Sequence, residues 1–272
     1  MMAKDELSDR LQAVDRWALR KKRLITLVRQ EGVRGFAERL SQAGLSGATA
    51  FVRRQARYQL CSYMGSQWDR KYGVDTTGQI DLEDIDVLGL NKADGYASVS
   101  TSPRAFSYLS KFFPSDSQEF TFFDIGCGKG RVLMLAALQG FNKIVGVEFA
   151  PLICEMAEQN LKRFSGRQPV EWSIVNGDAV TIELPIDCPL LIYSFNPFNA
   201  HVWKQFVPVL LRARKAGKHP LRLVLSGTLP ESLRATAAVV LDSGGFQQRA
   251  RGVTPFFLDA YGPYHFWVFD AL

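Results

Sequence analysis

The sequence predicts an α/β protein: a doubly wound, mostly parallel sheet of seven strands that follows a basic helical N-terminal appendage. From residue 102 onward, short apolar runs typical of buried strands alternate with helical patterns. A glycine-rich turn follows the first of these strands. The excess positive charge lies in the first quarter of the chain: residues 1–72 hold 15 basic and 7 acidic residues, and the other 200 hold 18 and 20.

The N-terminal quarter reads as helical. Over residues 6–60, apolar residues recur at three- and four-residue steps among many arginines and lysines. Glycines are expected to break this pattern into short pieces, at Gly32, Gly35, Gly44 and Gly47. An acidic, glycine-bearing connector then leads to the sheet. The predicted parts are a basic appendage (1–72), a connector or lid (73–101) and the sheet domain (102–272).

Within the sheet domain, each element follows from the alternation. The predicted strands are residues 120–125, 143–149, 170–175, 190–195, 221–225, 246–253 and 265–269. The predicted helices are residues 102–113, 131–138, 151–164, 202–216 and 230–241. For the first of these helices, Ser102 is the expected N-cap and Pro103 the first helical residue.

Composition excludes several classes of protein. With 47% hydrophobic and 22% charged residues, the chain is neither disordered nor fibrous. No apolar run approaches the roughly 18 residues that a membrane span needs. The N-terminus carries acids before any apolar stretch, which is unlike a signal or transit peptide. The four cysteines are widely spaced, which indicates reduced thiols in a cytoplasmic protein and predicts no metal site.

The most informative motif is the turn from Asp124 to Gly130, which reads Asp-x-Gly-x-Gly-x-Gly. Glycines at the end of a strand let the backbone approach a nucleotide closely and direct amide groups at it. A dinucleotide-binding loop would have glycine where Arg131 stands. A P-loop would have Ser or Thr after Lys129, where Gly130 stands.

Polar residues also end the next three predicted strands. Glu148 stands 24 residues after Asp124, and a carboxylate there can accept hydrogen bonds from both hydroxyls of a ribose. Asp178 follows the third strand, where it can accept a bond from the exocyclic amine of adenine. Asn196, Pro197 and Phe198 form a polar tip after the fourth strand. Ligands of open α/β sheets bind at this edge.

In this order, the four signals resemble those of the class I, Rossmann-like methyltransferases that depend on S-adenosyl-L-methionine. The resemblance covers residues 95–272 and implies the strand order 3-2-1-4-5-7-6, with the last strand antiparallel. It implies S-adenosyl-L-methionine as the cofactor. The contacts that it implies with the cofactor are those of Asp124, Gly126, Cys127, Gly128, Gly130, Glu148, Phe149, Asp178, Ala179 and Asn196.

The sequence motifs identify the methyl acceptor less well than they identify the cofactor. Asn196, Pro197 and Phe198 occupy the family's fourth motif and are the candidate catalytic residues. The segment is similar to the Asn/Asp-Pro-Pro-Tyr/Phe motif of nucleic-acid amino-methyltransferases, but one proline is missing. It is also similar to the non-SET protein lysine methyltransferases, where an Asn lies near the lysine. A plain helix N-cap is the third interpretation, because Asn199 follows.

No side chain stands out as a general base, which favours N-methylation over O-methylation. The leading hypothesis is N-methylation of a protein acceptor of the lysine type. The alternatives are a methyltransferase that acts on nucleic acid or a small molecule, and a non-catalytic cofactor-binding partner protein.

Lys129 and Arg131 are interpreted as stabilising the loop or its flank. The basic arm can pack on the core, contact nucleic-acid phosphates or associate with an anionic membrane. The oligomeric state is not determined by the sequence.

Overall fold

The computed structural model describes residues 44–80, 98–166, 170–196, 198–259 and 262–272. Residues 60–272 form one compact unit. Most of the basic arm and the connector segment 81–97 lie outside the described residues, so the domain division at residues 72 and 101 stays a prediction. In the described part of the chain, no helix is long and apolar enough to cross a membrane. Cys127, Cys154 and Cys188 are free thiols.

Six helices and nine strands are described. The helices are α1 (Gly44–Tyr72), α2 (Pro103–Leu109), α3 (Arg131–Leu138), α4 (Pro151–Arg163), α5 (Ala200–Gly217) and α6 (Pro230–Asp242). The strands are β1 (Gln79–Ile80), β2 (Ser98–Val99), β3 (Thr121–Ile125), β4 (Lys143–Glu148), β5 (Glu171–Asn176), β6 (Leu190–Phe195), β7 (Leu221–Gly227), β8 (Phe246–Val253) and β9 (His265–Ala271). Short 3-10 turns cover Ser110–Phe112, Ala179–Thr181 and Phe256–Leu258.

Seven strands form the main sheet in the order β5-β4-β3-β6-β7-β9-β8. Strands β3 to β7 pair in parallel, and β9 runs antiparallel to both of its neighbours. Counted from the first strand of the sheet, this is the order 3-2-1-4-5-7-6, so the predicted topology is confirmed. The predicted strands lie within two residues of the observed ones at each end. A separate two-stranded pair, β1 with β2, was not predicted.

Two details of the helices differ from the sequence prediction. Helix α1 runs through Gly47 without a break, so the predicted interruption is wrong. One glycine costs a helix only about 1 kcal/mol relative to alanine, too little to end a helix of 29 residues. Helix α2 ends at Leu109 and continues as a 3-10 turn. Ser102 occupies the N-cap position, but its hydroxyl donates to the Leu258 carbonyl, 2.8 Å away, instead of capping.

The two large apolar clusters of the core lie on opposite faces of the sheet, and a small third cluster lies at the start of α4. Side chains alternate across a strand, so Phe122 and Phe123 of β3 belong to different clusters. Helices α5 and α6 cover one face, where Trp203 is fully buried. Helices α2 and α3 cover the other face. Each fully buried side chain of this size contributes about 1.5–3 kcal/mol, which makes the sheet a rigid platform for the groups at its edge.

The end of α1 is joined to the start of α3 by a buried ion pair. Arg131 Nη2 lies 3.1 Å from Asp69 Oδ1, and the two side chains are 6% and 9% exposed. Arg131 also donates to the hydroxyls of Thr76 (2.6 Å) and Thr77 (2.8 Å). The Asp69 carboxylate accepts the backbone N–H groups of Thr76 (3.0 Å) and Thr77 (2.8 Å). Burial alone would raise the pKa of Asp69, but the Arg131 charge and these bonds lower it.

A second set of contacts holds the same segment against the glycine turn. The Asn160 amide accepts from Asp75 N (2.8 Å) and donates to the carbonyls of Asp75 (2.8 Å) and Lys129 (3.1 Å). Lys129 Nζ donates to the Thr77 carbonyl, 2.7 Å away, and lies 3.6 Å from Asp75 Oδ1. Lys129 and Arg131 therefore stabilise the glycine turn, as the sequence analysis favoured.

Removing the carboxylate of this ion pair is expected to destabilise the fold strongly. Asp69→Asn leaves the Arg131 guanidinium buried without its counter-charge, and we expect a loss of about 3–5 kcal/mol in the free energy of unfolding. The matched control is Glu171→Gln, which removes an exposed pair with Lys143 (2.7 Å, 69% and 48% exposed). That change should cost below about 1 kcal/mol. Equal losses for both variants in urea denaturation would contradict this account.

Candidate functional site

Polar residues that follow four neighbouring strands meet at one edge of the sheet. The glycine turn follows β3, Glu148 ends β4, Asp178 comes after β5 and Asn196 follows β6. Because these strands are parallel and adjacent, their carboxyl ends lie at the same edge. The structure therefore brings the predicted site residues together, as expected for a ligand site of an open α/β sheet.

The turn after β3 has a backbone that only glycine adopts readily. Gly126, Gly128 and Gly130 have φ angles of 77°, 52° and 85°, all in the left-handed region. The N–H groups of Gly126 and Cys127 donate to the Val147 carbonyl of β4, 2.9 and 3.0 Å away. The turn is thus fixed to the next strand and leads directly into the N-terminus of α3, which favours anionic groups of a ligand.

Cys127, a predicted cofactor contact, directs its side chain inward. A Cβ at Gly146 of β4 would lie only 2.6 Å from the Cys127 sulfur, so glycine is needed there for close packing. Burial, together with the negative charges of Glu148 and Asp124, raises the pKa of this thiol well above its ordinary value. Its backbone, rather than its sulfur, therefore faces the site.

Glu148 is 4% exposed and binds the glycine turn directly. One carboxylate oxygen accepts Gly128 N and the other accepts Ala150 N, each at 3.1 Å. Burial raises the pKa of Glu148 although these backbone bonds oppose the shift. Each oxygen keeps a lone pair that can accept a further hydrogen bond from a ligand hydroxyl.

The other predicted adenine-side residues lie next to Glu148. Asp178 caps the 3-10 turn Ala179–Thr181, and its Oδ1 accepts Val180 N at 3.1 Å. Ala179 is buried, whereas Phe149 is half-buried and packs with the start of α4. These residues surround the carboxyl ends of β4 and β5.

Three buried polar side chains lie together on one face of the sheet: Asp124, Tyr193 and Ser226, on the adjacent strands β3, β6 and β7. The hydroxyls of Tyr193 and Ser226 have no hydrogen-bond partner among the described residues. Asp124 is 2% exposed, and burial together with the Glu148 charge raises its pKa well above the ordinary value. Buried polar groups normally have partners, so such a cluster points to a ligand.

Asn196 is held at the ends of β6 and β7. Its φ angle of 47° is unusual for a residue other than glycine, and its N–H donates to the Ser226 carbonyl at 3.2 Å. Its side chain lies directly on the Cα of Gly227, so any side chain at position 227 would overlap it. The geometry therefore fixes the position of a half-buried amide at the edge of the sheet.

The remaining fourth-motif residues have different surroundings. Phe198 packs against Trp203 and Phe206, with ring centroids 5.2 and 6.3 Å away. Pro197 lies outside the described residues. Asn199 caps α5 by accepting His201 N (2.9 Å) and Val202 N (3.4 Å), so the N-cap interpretation is confirmed for this residue.

Sequence reasoning missed several residues of this edge. Tyr264 packs on Phe195 at 4.7 Å between ring centroids, donates to Asp259 and accepts Ser102 N at 2.9 Å. Burial and the Asp259 charge raise the pKa of Tyr264 well above its ordinary value. The sequence offered only weak signals, such as the Ser226-Gly227 pair after an apolar strand.

Comparisons with known proteins agree with this geometry. Residues 122–218 match the family model of a methyltransferase domain. The match spans the glycine turn, Glu148 at the end of β4, Asp178 after β5, and the fourth motif. The matched part of the chain, 97 of its 272 residues, is a methyltransferase domain. Its strand order and glycine turn are those of the class I fold, and S-adenosyl-L-methionine is the cofactor of this domain.

Several solved methyltransferase structures are similar to this one at low sequence identity. Magnesium protoporphyrin IX methyltransferase from Synechocystis has a TM-score of 0.46 and 14% identity, over 81% of this chain and 97% of that one. TrmN from Thermus thermophilus has a TM-score of 0.48 and 16% identity, over 63% of this chain and 49% of that one. The methyltransferase domain of a bacterial Hen1 has a TM-score of 0.47 and 17% identity, over 62% of this chain and 97% of that one. No curated protein sequence matches the chain.

The residues of the methyltransferase fit this cofactor. The cofactor carries a cationic amino-acid end, to which the unpartnered Asp124 carboxylate is complementary. Its ribose hydroxyls need acceptors such as the Glu148 oxygens. The glycine turn leaves room for close approach, since no Cβ projects from Gly126, Gly128 or Gly130.

Replacing Asp124 tests whether its buried carboxylate destabilises the cofactor-free protein and binds a cationic group of the ligand. Because its pKa is raised in the folded state, the wild type loses stability as pH rises from the ordinary Asp value through the raised one. Asp124→Asn should therefore raise the melting temperature of the cofactor-free protein at pH 7 by about 2–4 °C, or about 1 kcal/mol. This gain should disappear near pH 4.

The same variant should bind S-adenosylhomocysteine at least about tenfold more weakly, since a neutral amide attracts the ligand ammonium less strongly. Differential scanning fluorimetry and calorimetric titration measure the two effects. A variant that is less stable, or one that binds with unchanged affinity, would contradict the assignment.

Proposed function

We propose that the methyltransferase methylates an amine nitrogen, with a lysine side chain of a protein as its leading acceptor. When bound, S-adenosyl-L-methionine supplies a methyl group on a cationic sulfur, and the new C–N bond forms as the C–S bond breaks. The chain's own residues therefore need to bind, orient and desolvate the reactants. Because the cofactor supplies an activated methyl group and the protein orients the reactants, the reaction needs little help from a general base.

The observation that carries the proposal is the position of Asn196. Its strained backbone and its contact with Gly227 hold an amide oxygen, an acceptor for an N–H group, at the edge of the sheet. An amine that donates one N–H there turns its lone pair away from the amide. Residues at sparsely populated φ values often serve a functional site, which supports this role.

The same proposal assigns roles to the cofactor residues. Asp124 binds the amino-acid end, Glu148 accepts the ribose hydroxyls and Asp178 accepts from the adenine amine. The backbone of the glycine turn lines the cleft, with Phe149 and Ala179 beside the adenosine. The contacts of Glu148 with Gly128 and Ala150 support this arrangement, because they orient the carboxylate before the ligand arrives.

Several predictions are not tested by the described residues. Nucleic-acid binding through the basic arm stays a prediction, because residues 1–43 are not described. A cytoplasmic location, which was predicted from the cysteines, and the non-SET lysine methyltransferase comparison also stay predictions. The roles of Pro197 and Phe198 in binding an acceptor also stay predictions.

Asn196→Gly removes the amide while keeping the left-handed backbone accessible. We expect kcat to fall about 100-fold, since oriented groups at a reacting centre contribute factors of this size. Affinity for S-adenosylhomocysteine should change less than about threefold. Asn196→Asp keeps an oxygen acceptor and should restore part of kcat, whereas Asn199→Ala should cost about 1 kcal/mol of stability and leave kcat unchanged. Unchanged kcat in folded Asn196→Gly would contradict the role.

The acceptor class is tested with a labelled methyl group. The full-length enzyme and Asn196→Gly are incubated with labelled cofactor and a cell lysate, which is then separated into protein, RNA and small-molecule fractions. We expect enzyme-dependent label in protein, recovered as methyl-lysine after hydrolysis. Label confined to RNA or to small molecules would exclude the lysine acceptor but keep the methyltransferase activity.

A further inference from the structure

A cavity of about 300 Å³ lies outside the predicted cofactor residues. Its wall comes from the second half of α1, from the segment that leads into α2, from Arg131 and from Asp259. This volume is at the lower end of ligand pockets in proteins, so its natural occupant is a small molecule rather than a folded domain.

Several polar groups of the cavity wall are already bonded within the protein. The Ser102 hydroxyl donates to Leu258, and the Ser100 hydroxyl donates to the Thr76 carbonyl. Arg131 is neutralised by Asp69 at 3.1 Å. The buried Asp259 carboxylate accepts from the Tyr264 hydroxyl and from the Cys61 thiol, 3.5 Å away. The interior therefore suits an apolar body, against the side chains of Met64, Trp68 and Pro103.

The charges of the wall are distributed unequally. Lys71 and Arg104 are exposed lining residues, and neither forms an ion pair with any described residue. Lys71 only lies over the Tyr72 ring, 4.9 Å from its centroid. The single carboxylate, Asp259, is 7% exposed and lies within the wall. A ligand's negative group is therefore favoured at Lys71 and Arg104 and disfavoured beside Asp259.

We propose that this cavity binds a small organic anion with an apolar, ring-sized body. The body lies against Met64 and Trp68, and the anionic group lies at Lys71 and Arg104. None of the predicted cofactor residues lines the cavity, and Arg131 connects its wall to the flank of the glycine turn. The proposal depends on neither the acceptor nor the role of Asn196.

The test uses three probes that share a benzene ring and differ in charge: benzoate, benzylamine and benzyl alcohol. The full chain, labelled with ¹³C at the methionine methyl groups, is titrated with each probe and followed by NMR. Benzoate should shift the Met64 signal and leave that of Met156 on α4 unchanged. It should bind at least about tenfold more tightly than benzylamine.

Substitutions of Lys71 and Arg104 test whether these two residues bind the anionic group of the ligand. Lys71→Gln combined with Arg104→Gln should weaken benzoate about tenfold and leave benzyl alcohol within twofold. Both residues are exposed, so the fold should persist. Lys162→Gln, an exposed lysine paired with Glu158 on α4, is the matched control and should change nothing. Benzylamine binding as tightly as benzoate, a Met64 signal that no probe shifts, or benzoate affinity unaffected by the double variant would overturn the proposal.

Discussion

The buried ion pair between Asp69 and Arg131 is the constraint on which the proposed cofactor site depends. A buried guanidinium needs a counter-charge and acceptors for its remaining N–H groups. Asp69, Thr76 and Thr77 supply them, from a segment that lies far from Arg131 in sequence. Because Arg131 directly follows Gly130, the chain that satisfies the charge also holds the glycine turn. The end of α1 thus supports the glycine turn of the proposed cofactor site, although it contains none of the family's motifs.

Two buried aspartates show how the same side chain serves stability or binding. Asp69 accepts hydrogen bonds from two backbone amides and pairs with Arg131, and its pKa is lowered. Asp124 has no hydrogen-bond partner among the described residues, and its pKa is raised. The Asp69 carboxylate has its partners within the fold, whereas the Asp124 carboxylate is complementary to a cationic ligand. A buried carboxylate without a partner destabilises a protein, and the cationic amino group of the proposed cofactor would supply the missing partner.

The fold and the position of the candidate site at the edge of the sheet could be predicted because they depend on local patterns. Alternating apolar runs identify the strands, and the glycine turn with Glu148 identifies the binding edge. The pairing of Asp69 with Arg131 spans 62 residues, and nothing in a sequence full of arginines and aspartates indicates which two will meet. Tyr193 and Ser226 look like ordinary strand residues, and only the register of β3, β6 and β7 places their hydroxyls beside Asp124.

The central claim is that the Asp69–Arg131 pair holds the glycine turn in its cofactor-binding conformation. Its most direct test is the dissociation constant for S-adenosylhomocysteine in Asp69→Asn, measured by calorimetry at a temperature where circular dichroism shows the variant to be folded. The account predicts binding at least about tenfold weaker than in the wild type, and wild-type affinity in Glu171→Gln. Wild-type affinity in the folded Asp69→Asn protein would contradict it.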